Sequence, residues 1–287
     1  MNGLEGGGLR ARALHHPSFV AGALLTALLA GAALLSLAWA PYPPAEIDIP
    51  AKLQGASAAH WLGTDSLGRD VASQLLVGAQ NSIAVGVIAV GIGLVVGVLL
   101  GCLAAAQRAS GRAWVDELLM RAADFTFAFP ALLSAIMLTA IYGPGLMMSI
   151  VAIGIFNIPV FARIARGAAT AVWAREYISA ARVAGMGPLA ITRAHVLPNI
   201  ASPLIVQATI SFATAILAEA ALSYLGLGTQ PPQPSWGRML NDAQTLMFQA
   251  PLLAVWPGLA IMLSVLGLNL MGDGLRDLMD PKLSRQR

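Results

Sequence analysis

The stretch Glu176–Asn199, EYISAARVAGMGPLAITRAHVLPN, decides how this chain is to be read. It is a polar, arginine-bearing interruption in otherwise apolar sequence. From Arg175 to Ala184 the residues favour helix, with Ala180, Ala181 and Ala184 offering a small, close-packing surface. Gly185 and Gly187 end that helix, and Pro188 suits the first turn of another. The second helix carries Leu189, Ile191 and Val196 beside Arg193 and His195, so it is amphipathic, and Pro198 is expected to break it before the next apolar run. A short helix joined stiffly to a membrane span can transmit force from a soluble partner. The same residues also suit a helix lying on the membrane surface.

The surrounding composition sets the class. Of 287 residues, 57% are hydrophobic and 11% charged, against about 25% charged in soluble domains; the mean hydropathy is +0.72. Several runs approach the roughly 20 residues that carry a helix across a hydrocarbon core of about 30 Å. Six spans are read, at about 18–39, 79–106, 119–142, 145–165, 203–227 and 252–273. Spanning segments of this length must be helices, because an open strand would leave its backbone groups unpaired in lipid. The expected fold is therefore an all-α integral membrane protein. Arg10, Arg12 and Ala38-Trp39-Ala40 imitate a cleaved signal peptide around the first span, but its apolar core outruns the about 7–15 residues of a signal, so a retained helix is expected.

Basic residues set the orientation. With the N-terminus in the cytoplasm, Arg10, Arg12, Arg108, Arg112, Arg121, Arg163, Arg166, Arg175, Arg182, Arg193, Arg276, Lys282, Arg285 and Arg287 share that side, and only Lys52, Arg69 and Arg238 lie outside. Both termini are thus expected inside, and the pI near 9.4 is a topological signature rather than a sign of nucleic-acid binding. Cys102 is the single cysteine, which excludes an internal disulfide and a multi-cysteine metal cluster. The histidines, at 15, 16, 60 and 195, have no metal-ligand spacing; His15-His16 reads as an exposed juxtamembrane pair.

The chain divides into residues 1–40, with the first span, an outer loop at 41–78, and a five-helix core at 79–287 that carries the inner loop 166–202 and a second outer loop 228–250. In the first outer loop, Asp70 can cap a short helix over 71–77 ahead of span two, and Trp61 suits the interfacial belt. In the second, Ser235 can cap a short helix over 237–243, with Asp242 outward. These two stiff loops are either connectors or docking surfaces. Gly93, Gly97 and Gly101 make small-xxx-small faces for close helix packing. Polar residues inside the spans are candidates for lining a path: Asn157, Glu219 and Asn269. Glu219, near Thr214 and Ser223, either lines that path or closes the outer part of the bundle by a structural hydrogen bond. Asp124 is expected to pair with Arg121, and Pro130 and Pro159 imply kinks or helix starts. A secondary carrier would show more buried carboxylates and an internal repeat; a channel would show a filter.

The loop resembles the signature loop of permease subunits in ATP-binding-cassette importers, whose pattern is Glu-Ala-Ala, three residues, Gly, nine residues, Ile, one residue, Leu-Pro. Ser179-Ala180-Ala181, Gly185, His195 and Leu197-Pro198 stand at those spacings, with Ser179 in place of the acid, His195 in place of isoleucine, and Glu176 able to supply a displaced charge. His195–Asn199, His60–Asp70, Ser223–Gly228, Pro234–Gly237 and Gly272–Asp277 are similar to the dipeptide, oligopeptide and nickel branch, so the matching segments run from about 40 to 283. The resemblance implies a type I importer fold in a bacterial inner membrane. It implies a second permease subunit, two ATPase subunits that hold ATP and magnesium, and an external solute-binding protein. The chain itself would be no enzyme and bind no cofactor, having no phosphate-cradling Gly-x-x-x-x-Gly-Lys-Ser/Thr loop. Coupling would fall to Glu176, Ser179, Ala180, Ala181, Arg182, Gly185, His195, Leu197 and Pro198. The expected solute is a dipeptide or oligopeptide, with nickel or a nickel chelate as the alternative.

Overall fold

A computed structural model describes residues 13–279; Arg10, Arg12, Lys282, Arg285 and Arg287, used above for orientation, lie outside the described residues. In chain order the helices are α1 (Pro17–Ala38), α2 (Val71–Ala109), α3 (Ala113–Ala128), α4 (Ala131–Tyr142), α5 (Leu146–Trp173), α6 (Glu176–Val183), α7 (Pro188–Ile191), α8 (Leu197–Tyr224), α9 (Trp236–Ala243) and α10 (Leu252–Met279). Five helical segments are long and apolar enough to cross a membrane, or six where the bent pair α3 and α4 counts as one broken span. Among the described residues the only β pairing is the isolated bridge between Thr64 and Asp70.

Two expected spans are drawn differently in the structure. Span three is not one straight helix over 119–142: α3 and α4 meet at 81°. The cause is local, since a residue before proline is pushed out of helical conformation, and Phe129 takes φ −96° and ψ 132° ahead of Pro130. Nor is there a separate short helix over 71–77. Asp70 caps one uninterrupted helix of 39 residues, its Oδ2 accepting from the Ser73 backbone N–H at 2.7 Å and from the Ser73 hydroxyl at 2.7 Å. At 1.5 Å per residue α2 is about 58 Å long, nearly twice the hydrocarbon thickness, so it carries the fold beyond the membrane.

The most extensive helix contact is between α2 and α5. A side chain on Gly93, Gly97 or Gly101 would collide with Asn157, with the Ile158 carbonyl and Phe161, or with the Ala162 carbonyl and Ala165. With no apolar driving force between helices in lipid, such close backbone approach supplies the dispersion contacts that hold them together. Phe161, Ala165 and Ala169 are fully buried along this seam. A second seam joins α1 to α10, where Gly22 lies on the backbone of Gly267 and Met271, and Gly274 on Phe19.

The outer ends are closed by the two loops. Asp65 accepts from the backbone N–H groups of Leu67 (2.8 Å) and Arg69 (3.0 Å), from Arg69 Nε (2.6 Å) and from Gln74 Nε2 (2.9 Å). Arg69 also reaches Asp242 of α9 at 3.2 Å, so Asp242 is an inter-loop partner rather than a free outward charge. Trp236 donates to the Leu75 carbonyl (3.0 Å) and Asn81 to that of Pro234 (2.7 Å). Ser235 caps α9 by accepting from the Arg238 N–H at 3.2 Å.

Gly97→Leu should destabilise the bundle by about 1–3 kcal/mol, the cost of overpacking, and lower the thermal midpoint measured in detergent. Gly31→Leu, where a side chain meets nothing within 4 Å, should leave it unchanged.

Candidate functional site

The loop between α5 and α8 is built around one reversal. Helix α6 ends at Gly185, whose φ of +85° favours glycine. The Gly185 N–H reaches the Arg182 carbonyl (2.9 Å) and the Met186 N–H reaches that of Ala181 (3.0 Å), the paired closure that satisfies a helix C-terminus. Ile178, Ala181, Ile191 and Val196 are buried and pin the loop to the α2/α5 core. Of the three small residues Ala180, Ala181 and Ala184, Ala181 packs inward as an anchor, while Ala180 and Ala184 are exposed. Glu176, Ser179, Ala180, Arg182, Val183 and Gly185 are exposed. Glu176 precedes Ser179 by three residues and Ala180 by four, so all three share one face. Val183 (91% exposed) and Leu189 (82%) leave bare apolar surface at the tip. The Arg182 guanidinium lies 5.0 Å over the Trp173 ring. Tyr177 meets half-buried His195 edge-on, ring centroids 6.0 Å apart, tying the two halves of the loop together.

Pro198 does not break the second helix. From Pro188 to Tyr224 the chain is one helical path of 37 residues. The accommodation is a π turn over Thr192–Val196, closed by the Leu197 N–H on the Thr192 carbonyl. Pro198 brings no N–H and would crowd the carbonyl four residues back in an α-helix; the wider turn relieves that. Leu197 and Pro198 thus sit, exposed, in the first turn of α8.

The path candidates separate. Asn157 is buried in the α2/α5 seam against Gly93 and donates to the Ile153 carbonyl at 3.0 Å, so it does not border open space. Glu219 is fully buried near the outer end of α8. Its Oε1 accepts from the Ser223 hydroxyl (2.6 Å) and from Thr229 Oγ1 (3.3 Å), while the Thr229 N–H donates to Ser223 Oγ (2.9 Å). That arrangement latches the loop after α8 to the helix; it is not an open wall. Asn269 alone of the three is exposed, on a face of α10 shared with Leu266 and Asp273.

At the opposite end a charged cluster joins three helices. Asp116 of α3 is fully buried and accepts from Arg166 of α5 (Nε 2.9 Å, Nη2 2.6 Å) and from Arg108 of α2 (3.0 Å). Asp124 pairs with Arg163, thirty-nine residues away, rather than with Arg121. Sequence spacing offered Asp124 its near neighbour and had no signal for either distant partner.

The model of the family described as binding-protein-dependent transport system inner membrane component matches residues 97–285. The chain belongs to that family. It is 45% identical to the di/tripeptide transport system permease protein DppC of Pseudomonas aeruginosa, over 94% of this chain and 89% of the relative. It is 46% identical to the glutathione transport system permease protein GsiD of Pectobacterium atrosepticum, over 80% and 75%. Among solved structures, the MetNI methionine ABC transporter in inward-facing conformations superposes with a TM-score of 0.59 at 21% identity, over 72% of this chain and 97% of that one. The fold is thus that of an importer permease, and the protein is a multi-pass transport component.

Asp116→Ala should strand two cations at a buried position. Arg108 and Arg166 can turn partly to water, so the loss should be about 2 kcal/mol, below the 3–5 of a fully enclosed pair. Thermal unfolding in detergent measures it, with Asp116→Asn expected between the two.

Proposed function

We propose that this chain is the permease subunit of an ATP-driven importer of short peptides in a bacterial inner membrane. It forms half of the translocation path beside a second, related permease. Two cytoplasmic ATPase subunits hold ATP and magnesium and supply the drive, and an external solute-binding protein delivers the solute; this chain binds no cofactor. The relatives' names, for di/tripeptides and glutathione, support a short peptide over a nickel chelate as the solute.

The observation that carries the coupling role is the loop's division into a buried and a bare face. Ile178, Ala181, Ile191 and Val196 fix it to the bundle, while Ser179, Ala180, Arg182, Val183, Gly185 and Leu189 stand free for a groove on an ATPase subunit. Glu176, on the same face, supplies the acid that Ser179 lacks. A push on α6 and α7 reaches the membrane because α7 runs through the π turn into α8 without a break. His195, Leu197 and Pro198 belong to that rigid connection, which is how they take part without facing the partner.

Gly185→Trp puts a bulky L-residue at φ +85°, at a backbone cost of roughly 1–2 kcal/mol, and deforms the gripped face. ATPase subunits should no longer co-purify with the membrane complex, or peptide uptake in proteoliposomes should fall by about tenfold or more. Normal assembly and normal uptake would refute the coupling role. Val183→Asp with Leu189→Asp should weaken ATPase recruitment without lowering the thermal midpoint of the isolated chain, since both side chains are exposed.

A further inference from the structure

Four helices enclose an apolar groove in the inner half of the bundle. α1 and α2 meet near their outer ends, where the Ser36 hydroxyl reaches Gln80 Oε1 at 3.5 Å. α2 and α8 meet further in, where the Phe212 ring lies on Gly86. Between those contacts and the cytoplasmic end, α1, α2, α8 and α10 surround an open space of about 890 Å³. Its lining on α8 runs from Leu197 to Phe212, about 22 Å along the axis. Leu197 begins that helix on the side of the loop, so the groove spans the depth of the inner leaflet, half of a hydrocarbon core of about 30 Å. Val95, Leu99 and Ile205 line it and are exposed, which opens it sideways to lipid. Its only polar lining residues are Thr26 and Thr209, and the Thr209 hydroxyl is already given to the Val206 carbonyl at 2.7 Å.

The lining decides what can fill this space. A zwitterionic solute would leave both of its charges unpartnered there. Membrane helices are held by close backbone approach over small residues, as at the α2/α5 and α1/α10 seams. The α2 wall of the groove instead sets Gly91 among Val87, Leu94, Val95, Val98 and Leu99. A flexible hydrocarbon chain entering from the lipid meets such walls and recovers the dispersion contacts that a void forfeits. The groove stripe on α8 also continues, one turn past Leu197 towards the cytoplasm, to Arg193. That side is exposed, and Arg193 has no ion-pair partner among the described residues. The carboxylates of α10 nearest this level, Asp273 and Asp277, lie at least about 120° round the helix from the lining residues Leu268 and Met271. An arginine at the cytoplasmic mouth of an interhelical groove is placed for a lipid phosphate. We propose that the groove is a site for an anionic phospholipid of the inner leaflet, with an acyl chain between α2 and α8 and the headgroup phosphate on Arg193. The site rests on the membrane placement of the bundle and not on the peptide reading. Because α8 continues the loop, the bound chain supports, with conformable hydrocarbon, the very helix to which the loop is joined.

The test uses the complete transporter in nanodiscs of phosphatidylcholine, doped with phosphatidylglycerol or with phosphatidylcholine that carries a diazirine in one acyl chain. After irradiation, peptide mass spectrometry maps the labelled residues. The phosphatidylglycerol probe should label the groove walls around Val95 and Ile205 more heavily than the exposed face of α1 at Leu24 and Leu28. Arg193→Gln should lower the preference for phosphatidylglycerol over phosphatidylcholine by about fivefold, the effect of one basic side chain near a bilayer surface, and Arg193→Lys should keep it. Ala201→Phe with Ala208→Phe fills the groove and should abolish its labelling while the label on α1 persists. Arg193 is exposed, so its variants test the headgroup contact even if the filled groove disturbs folding. Groove labelling no heavier than that of α1, as when a helix of the second permease covers the groove, would overturn the proposal. So would equal labelling of the groove by the two lipids in the parent complex. Failure of the same complex to import dialanine would refute the peptide reading alone, and the labelling would still decide the lipid site.

Discussion

The close approach of α2 and α5 is the contact on which the rest of the structure depends. Three glycines one turn apart let two backbones touch where lipid offers no hydrophobic drive to push helices together. The inner half of the structure is hung from that pair, while α1 and α10 close on a seam of their own. The Asp116 cluster extends it at one end by tying α3 to both helices. The loop leaves directly from the end of α5, and its buried residues return to the same core. Had these positions carried larger side chains, α5 could not present Arg163, Arg166 and Trp173 in their observed register.

The two ends of the bundle are built on different chemistry. The outer end is a knot of short-range turns locked by carboxylates: Asp65 gathers four donors, Glu219 holds Ser223 and Thr229, and Trp236 and Asn81 stitch α9 to α2. Such a network is costly to open, because each buried polar group would lose its partner. The inner end has fewer such ties and leaves apolar side chains at the loop tip uncovered. That asymmetry suits a machine that receives its mechanical input on one side and its solute on the other.

Most of the fold was legible because its signals are local. Apolar run lengths marked the spans, Asp70 and Ser235 announced their caps, and Gly185 announced the end of α6. What was not legible depended on partners distant in sequence. Asp124 could be matched to Arg121 by spacing, yet Arg163 is what it meets, and nothing near Asp116 points to Arg166 fifty residues on. Asn157 read as a path candidate because polarity in a span is conspicuous, whereas burial is a property of packing; for Glu219 the alternative of a structural hydrogen bond is the one the structure takes. Pro198 was misjudged for another reason: proline's cost is fixed, but a helix can absorb it by widening one turn, and sequence does not say which solution is taken.

That widened turn has a consequence for how the loop is aimed. A π turn amounts to one extra residue lodged in an α-helix, and each residue of α-helix advances the helical phase by about 100°. Because the wide turn spreads five residues over about the angle that four cover in an α-helix, the extra residue is absorbed and the loop's bare face keeps its phase against the faces of α8 inside the bundle. Loss of a single residue at Thr192–Val196 would let an ordinary α turn form with the loop still aimed as before, and would bring the Pro198 ring against the carbonyl four residues back. The surplus residue stores clearance for a proline, and the aim of the loop is left untouched.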